Sequence, residues 1–170
     1  MLTDLQAKDS TKLACGLAEE VVRTFGKVRL RVFGTSMVPS ILPGDLISIQ
    51  QASLQDICTG EVVLFLQRGR FFVHRVVGRK AVASADSPGK SCLITRGDRL
   101  RHDDPPVSSP ELLGRVVAIE RDNRKVELLA HGSNRLIVRL LRASDRVTYL
   151  YLRLAACWRI LFLRREKCRA

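Results

Sequence analysis

Between Lys27 and Leu129 the sequence breaks into seven short runs rich in aliphatic and β-branched residues, and this segmentation limits the fold more than any other feature. The runs are Val28 to Phe33, Leu46 to Ile49, Val62 to Leu66, Phe71 to Val77, Cys92 to Thr95, Leu113 to Ile119 and Val126 to Leu129. Between them stand Pro43-Gly44-Asp45, Arg68-Gly69, Ser87-Pro88-Gly89, Asp104-Pro105-Pro106 and Asp122-Asn123. Gly and Asn accept positive φ, and Pro fixes φ while removing a ladder donor, so each of these groups stops a strand and turns the chain. Strands this short and this close together predict an antiparallel sheet or barrel rather than a βαβ plan.

Both ends carry helical periods. Leu13, Leu17, Val21 and Phe25 recur at four-residue intervals and predict one apolar face of a short helix that Gly26 ends. Past His131-Gly132-Ser133-Asn134, residues Leu136, Ile137, Leu140, Leu141, Val147, Leu150, Leu154 and Trp158 supply an apolar face, while Arg135, Arg139, Arg142, Arg146 and Arg153 form a guanidinium stripe. The expected division is an N-terminal helical segment over 1–26, a β domain over 27–130 and a basic amphipathic helix over 135–170. The fold class is then mainly β, framed by terminal helices.

Charge is uneven along this plan. The formal net charge is +12, and residues 135–170 hold ten basic side chains against Asp145 and Glu166, so +8 of the excess lies in the last 36 residues. An arginine stripe with leucines suits the headgroup region of an anionic bilayer. Nucleic acid would attract the same charge, but no helix-turn-helix or RNA-binding aromatic motif accompanies it, so no nucleic-acid partner is expected. A third reading packs the helix on its own domain with a solvated arginine face. At 46% hydrophobic residues the chain can bury a core. The five cysteines are scattered without any C-x-x-C spacing, so reduced, mostly buried thiols are expected. Met1 to Ser10 is polar and acidic, unlike a secretory signal, and no apolar stretch of about 18 residues could span a bilayer. A peripheral place on a membrane, or a cytoplasmic one, is the expectation.

One segment carries chemistry: Gly34-Thr35-Ser36-Met37-Val38-Pro39, followed by Pro43-Gly44-Asp45. It follows a strand, and its glycine and prolines force a sharp turn that can present the Ser36 hydroxyl outward. A serine hydroxyl becomes a nucleophile only with a base to take its proton and donors for the oxyanion. A candidate base lies 38 residues on, in Phe71-Phe72-Val73-His74-Arg75-Val76-Val77. Neutral imidazole near pH 7 can accept that proton. A third segment, Ile94-Thr95-Arg96-Gly97-Asp98, leads to Asp103 and Asp104, either of which could orient the imidazole.

These boxes, in this order, resemble the type I signal peptidases and their LexA-like relatives, and Leu113-Gly114-Arg115-Val116-Val117 is similar to the closing strand of that family. The likeness covers about residues 28–120. Housekeeping bacterial signal peptidases and LexA-like proteases carry a lysine base in the strand that here holds His74, and Gly69 to Gly78 contains no lysine. Val-His-Arg-Val instead resembles the endoplasmic reticulum, archaeal and sporulation-type branch, which uses a Ser-His arrangement. The resemblance implies Ser36 as nucleophile, His74 as base, Asp104 or Asp103 as orienting carboxylate, and Gly34, Thr35, Met37 and Asp98 as support, with Asp98 bracing the Gly-Asp turn. Gly34 stands where some members carry an oxyanion-assisting serine, and Arg99-Leu100 replaces the paired asparagines of the family. The implied function is a serine endopeptidase of signal peptidase type with a LexA-like β fold, cleaving after small residues in exported or membrane-tethered polypeptides bound in extended form. No cofactor and no metal is implied. A non-catalytic or self-cleaving regulatory protein with the same fold is the alternative.

Overall fold

A computed structural model of the chain describes residues 16–17, 19–81, 91–127, 141 and 147–155. Its strands are β1 (Lys27–Arg31), β2 (Leu46–Gln50), β3 (Val62–Gln67), β4 (Arg70–Ala81), β5 (Ser91–Arg96), β6 (Leu112–Arg121) and β7 (Arg124–Val126). They pair antiparallel in the order β1-β2-β6-β3-β4-β5, with β7 beside β6. The fold is mainly antiparallel β, as the spacing of the runs predicts. Two turns explain the tightest pairings. Arg68 and Gly69 have φ of 52° and 70°, and Asp122 and Asn123 have 51° and 61°. Two consecutive positive φ values give the hairpin loop whose twist matches its flanking strands, here β3 to β4 and β6 to β7. The last strand is Arg124–Val126, two residues earlier than the run from Val126 suggests, because the Asp122-Asn123 loop starts the return at once. The Ser87-Pro88-Gly89 turn and the segment His131 to Asn134 lie outside the described residues.

The central strand has core on both faces. Val62 and Leu64 join one cluster with Met37, Ile41, Ile47, Ile49, Leu113, Val116 and Ile119. Val63 and Phe65 join the other with Leu54, Ile57, Val76, Leu93, Val107 and Leu112. Side chains alternate along a strand, so a strand buried on both faces reads as the unbroken apolar run Val62-Val63-Leu64-Phe65. Each such large side chain stabilises the fold by roughly 2 kcal/mol when fully buried.

The terminal helices differ from expectation in which face they bury. Residues 19–25 are helical, but Leu17 is 57%, Val21 37% and Phe25 74% exposed, while Val22 is fully buried in the first core cluster. Arg23, beside Val22, donates to the Pro110 carbonyl at 2.9 Å and to Glu19 at 3.0 Å, contacts compatible with this rotation. At the other end residues 147–155 are helical, and Tyr151, Leu152 and Ala155 pack with Leu141 on Val38 and Leu42. Thr148 is buried too, donating to the Leu141 carbonyl at 3.2 Å. Val147, Leu150 and Leu154, from the expected apolar face, point outward instead. Leu136, Ile137, Leu140, Trp158 and the arginines before Arg153 lie outside the described residues. Of the two described cysteines Cys58, in the turn that leads into β3, is exposed and Cys92 partly so, while Cys15, Cys157 and Cys168 lie outside the described residues.

Asp45 ends the Pro43-Gly44-Asp45 turn and is completely buried. Its carboxylate accepts the Leu42 N–H at 2.8 Å and two bonds from Arg121, at 2.9 and 2.7 Å, so the turn between β1 and β2 is tied to the end of β6. The hydrogen bonds it donates to Asp45 hold the Arg121 guanidinium above its ordinary pKa, against the opposing effect of burial. Removing one partner of such a pair leaves an uncompensated buried charge. Arg121→Ala should therefore destabilise the fold by about 3 kcal/mol, read as a lower urea midpoint.

Candidate active site

Three segments meet around Ser36. The turn 35–41 leaves β1 and is held from below, because Met37 is 2% and Ile41 0% exposed in the first cluster, and Val38 is fully buried under the C-terminal helix. That packing turns the Ser36 side chain away from the core, toward β4. His74 stands on β4 opposite Val63 of β3 and is only 3% exposed. Phe65 meets its ring edge-on at 6.0 Å and Phe72 lies 5.9 Å away, so two aromatic rings restrict how the imidazole can tilt.

The polar geometry forms a line. His74 Nε2 lies 2.9 Å from Ser36 Oγ, and His74 Nδ1 lies 2.6 Å from Asp104 Oδ2. With the proton on Nδ1 donated to the carboxylate, Nε2 is the acceptor that faces the hydroxyl. The structure thus separates the two candidate carboxylates. Asp103 points outward, 49% exposed at its side chain, and pairs with Arg96 at 3.2 Å. Backbone pairing explains the difference: the Asp104 N–H bonds to the Thr95 carbonyl at 2.8 Å, and Leu93 and Val107 exchange bonds at 2.9 and 2.8 Å. The loop after Asp103 thereby returns along β5, with Asp104 facing inward. His102 is exposed.

Behind this line lies a charged brace. Asp98 accepts two bonds from Arg75, both at 2.8 Å, and one from the Ser40 hydroxyl at 2.5 Å. Arg75 is 3% exposed and also donates to the Gly60 carbonyl at 2.8 Å. Asp98 thus receives side-chain donors from two segments, and Ser40 joins the turn 35–41 to the Gly-Asp turn. Sequence reasoning leaves Ser40 and Arg75 unassigned, although Arg75 stands beside His74 in its box and Ser40 directly follows Pro39. The Arg99 N–H adds a bond to the Ser36 carbonyl at 2.9 Å, and its guanidinium reaches Thr35 Oγ1 at 3.3 Å and Thr148 Oγ1 at 3.5 Å. Thr35 is therefore linked through Arg99 to the C-terminal helix. Gly34 has open space where a Cβ would project, so a serine would fit there.

Gly97 is different. A Cβ on it would lie 2.8 Å from the Ser36 carbonyl oxygen and 3.0 Å from both Ser36 Cβ and Leu100 Cγ. The absence of a side chain lets the Gly-Asp turn lie against the serine. Gly97→Ala must push Ser36 aside, and a displacement of this order should lower the rate of any chemistry at Ser36 by about 100-fold. Steady-state kinetics on a folded variant, monitored by circular dichroism, measures it.

Among the described residues no cluster of three or more His, Cys, Asp or Glu side chains could hold a metal ion, and no helix is long and apolar enough to cross a membrane. No curated protein matches the chain. Residues 4–83 match the model of the family described as Peptidase S24-like, so the part of the chain that carries Ser36 and His74 is similar to a family of serine peptidases in the LexA and signal peptidase clan.

Proposed function

We propose that the chain is a serine endopeptidase of signal peptidase type. The observation that carries this reading is the line from Ser36 Oγ to His74 Nε2, 2.9 Å, and from His74 Nδ1 to Asp104 Oδ2, 2.6 Å. In it Ser36 attacks the scissile carbonyl, His74 takes the hydroxyl proton and returns it to the leaving amine, and Asp104 holds the imidazole tautomer and stabilises the imidazolium. Backbone N–H groups beside Ser36 serve the oxyanion. Histidine in the base position favours the Ser-His branch over a LexA-like Ser-Lys switch. The lysine that β4 does carry, Lys80, is exposed near the far end of the strand. The substrate is an extended polypeptide with a small residue before the scissile bond, added to the sheet as a strand.

Internally quenched peptides that differ only in alanine or phenylalanine before the scissile bond test the reading. Cleavage after alanine in trans, faster by at least about tenfold, supports it. Fragmentation of the chain itself with no cleavage of added peptide would instead establish the self-cleaving alternative.

We extend the proposal to the basic segment 135–170, which serves as a peripheral contact with an anionic bilayer. Tyr149 is 64% and Leu150 and Leu154 58% exposed on the described part of its helix, beside Arg153. Apolar side chains of this kind can enter the acyl boundary while arginines meet lipid phosphates. Co-sedimentation with phosphatidylcholine vesicles, with and without phosphatidylglycerol, should give binding to the anionic vesicles only. Leu150→Glu together with Leu154→Glu should weaken that binding by more than about tenfold. Equal binding to both vesicles, or none, contradicts it.

A further inference from the structure

Asp104 is held by more than His74. Thr95, on β5, is completely buried and donates its hydroxyl to Asp104 Oδ2 at 2.8 Å. That is the oxygen which faces His74 Nδ1 at 2.6 Å, so one carboxylate oxygen receives both donors. The Thr95 carbonyl also accepts the Asp104 backbone N–H at 2.8 Å, which fixes the two residues side by side. β5 lies against β4 in the register that places Thr95 opposite Val76, two residues beyond His74, so the strand that carries the base and the strand that carries this hydroxyl are direct neighbours.

A carboxylate bonded only to the imidazole would retain much of its freedom, because the terminal torsion of an aspartate is broad and the Asp104 side chain is 16% exposed, within reach of water. A second donor from a rigid, buried strand removes that freedom. β-branching makes the donor itself stiff at χ1, a property that serine shares less.

We propose that Thr95 is a positioning residue for the Ser36, His74 and Asp104 site, its hydroxyl fixing the Asp104 carboxylate in line with His74 Nδ1. The inference rests on the peptidase reading above for its kinetic consequence, but not for its geometry. Thr95 does not touch the substrate. It acts through Asp104 on the orientation of the imidazole, and its removal should therefore appear in kcat and leave KM unchanged.

Thr95→Val keeps the shape and strand preference of the residue and deletes only the hydroxyl. It should lower kcat about tenfold, the effect of one net hydrogen bond, with KM unaltered. Thr95→Ser, which restores the donor, should recover most of the loss. The second readout needs no activity: in the Ser36→Ala chain the His74 Nδ1 proton, followed by NMR, should exchange slowly with solvent. The exchange should quicken on adding Thr95→Val and stay slow with Thr95→Ser. If Thr95→Val does not fold, Thr95→Cys, of similar volume and a feeble donor, carries the same expectations. A folded Thr95→Val chain with unchanged kcat and unchanged Nδ1 exchange overturns the inference, as does a loss that Thr95→Ser fails to repair. The two readings fail separately. A chain without peptidase activity whose Nδ1 exchange responds as stated sinks the peptidase reading and leaves Thr95 as the residue that positions His74; an active chain indifferent to Thr95→Val sinks this inference alone.

Discussion

Ser36→Ala is expected to lower kcat for cleavage of an alanine-containing peptide by roughly 10⁴- to 10⁶-fold while the fold persists. The size follows from the role: without the hydroxyl no acyl-enzyme forms, and only binding and oxyanion stabilisation remain to assist water. Persistence of the fold follows from the packing. The turn is held by Met37, Val38 and Ile41 in the core and by Asp45 bonded to Arg121, none of which depends on the Ser36 hydroxyl. Measuring kcat and the thermal midpoint together separates the two effects. A large loss of stability would mean that Ser36 serves the turn rather than chemistry.

Asp104→Asn should cost about 10⁴-fold in kcat, because an amide in that place can donate its own proton to His74 Nδ1. The imidazole then carries its proton on Nε2, where it faces Ser36 Oγ and cannot accept. Asp103→Asn is the matched control. Its side chain is half exposed and, among the described residues, paired with Arg96 at 3.2 Å, an interaction of little energetic weight, so activity should remain within about twofold of the unaltered chain. Equal losses from both substitutions would argue for a general charge effect of the loop. Losses in the reverse order would contradict the geometry of the site.

Much of the fold is legible in the sequence because the information is local. Turns such as Arg68-Gly69 and Asp122-Asn123 declare themselves by residues that accept positive φ, and the unbroken run Val62 to Phe65 reflects burial on both faces. The buried faces of the terminal helices are less legible. Leu17, Val21 and Phe25 have helical spacing, yet Val22 is the residue that enters the core, while Arg23 beside it bonds to Pro110, 87 residues away. A long-range polar contact leaves no periodic trace.

The site divides in the same way. Ser36 and His74 stand out because each sits in a distinctive local box, whereas the choice between Asp103 and Asp104 depends on a backbone pairing with Thr95 that only the folded chain displays. Thr95 and Arg75 stand in those segments, and Ser40 directly after one, without a role that the sequence declares. A threonine in a strand, or an arginine beside a histidine, gives no hint of its partner until β4, β5 and the serine turn are brought together. Buried polar groups must find partners, and that requirement is met in space rather than along the sequence.

The central claim is that Ser36 is acylated with His74 as its base, and trapping the acyl group tests it most directly. The chain would be mixed briefly with an activated peptide ester ending in alanine, quenched in acid, digested and mapped by mass spectrometry. The expected result is one acyl group on the fragment that contains Ser36, absent from Ser36→Ala and nearly absent from His74→Ala. Peptide cleavage that proceeds with no acyl group on Ser36, or with the acyl group on another residue, would contradict the account.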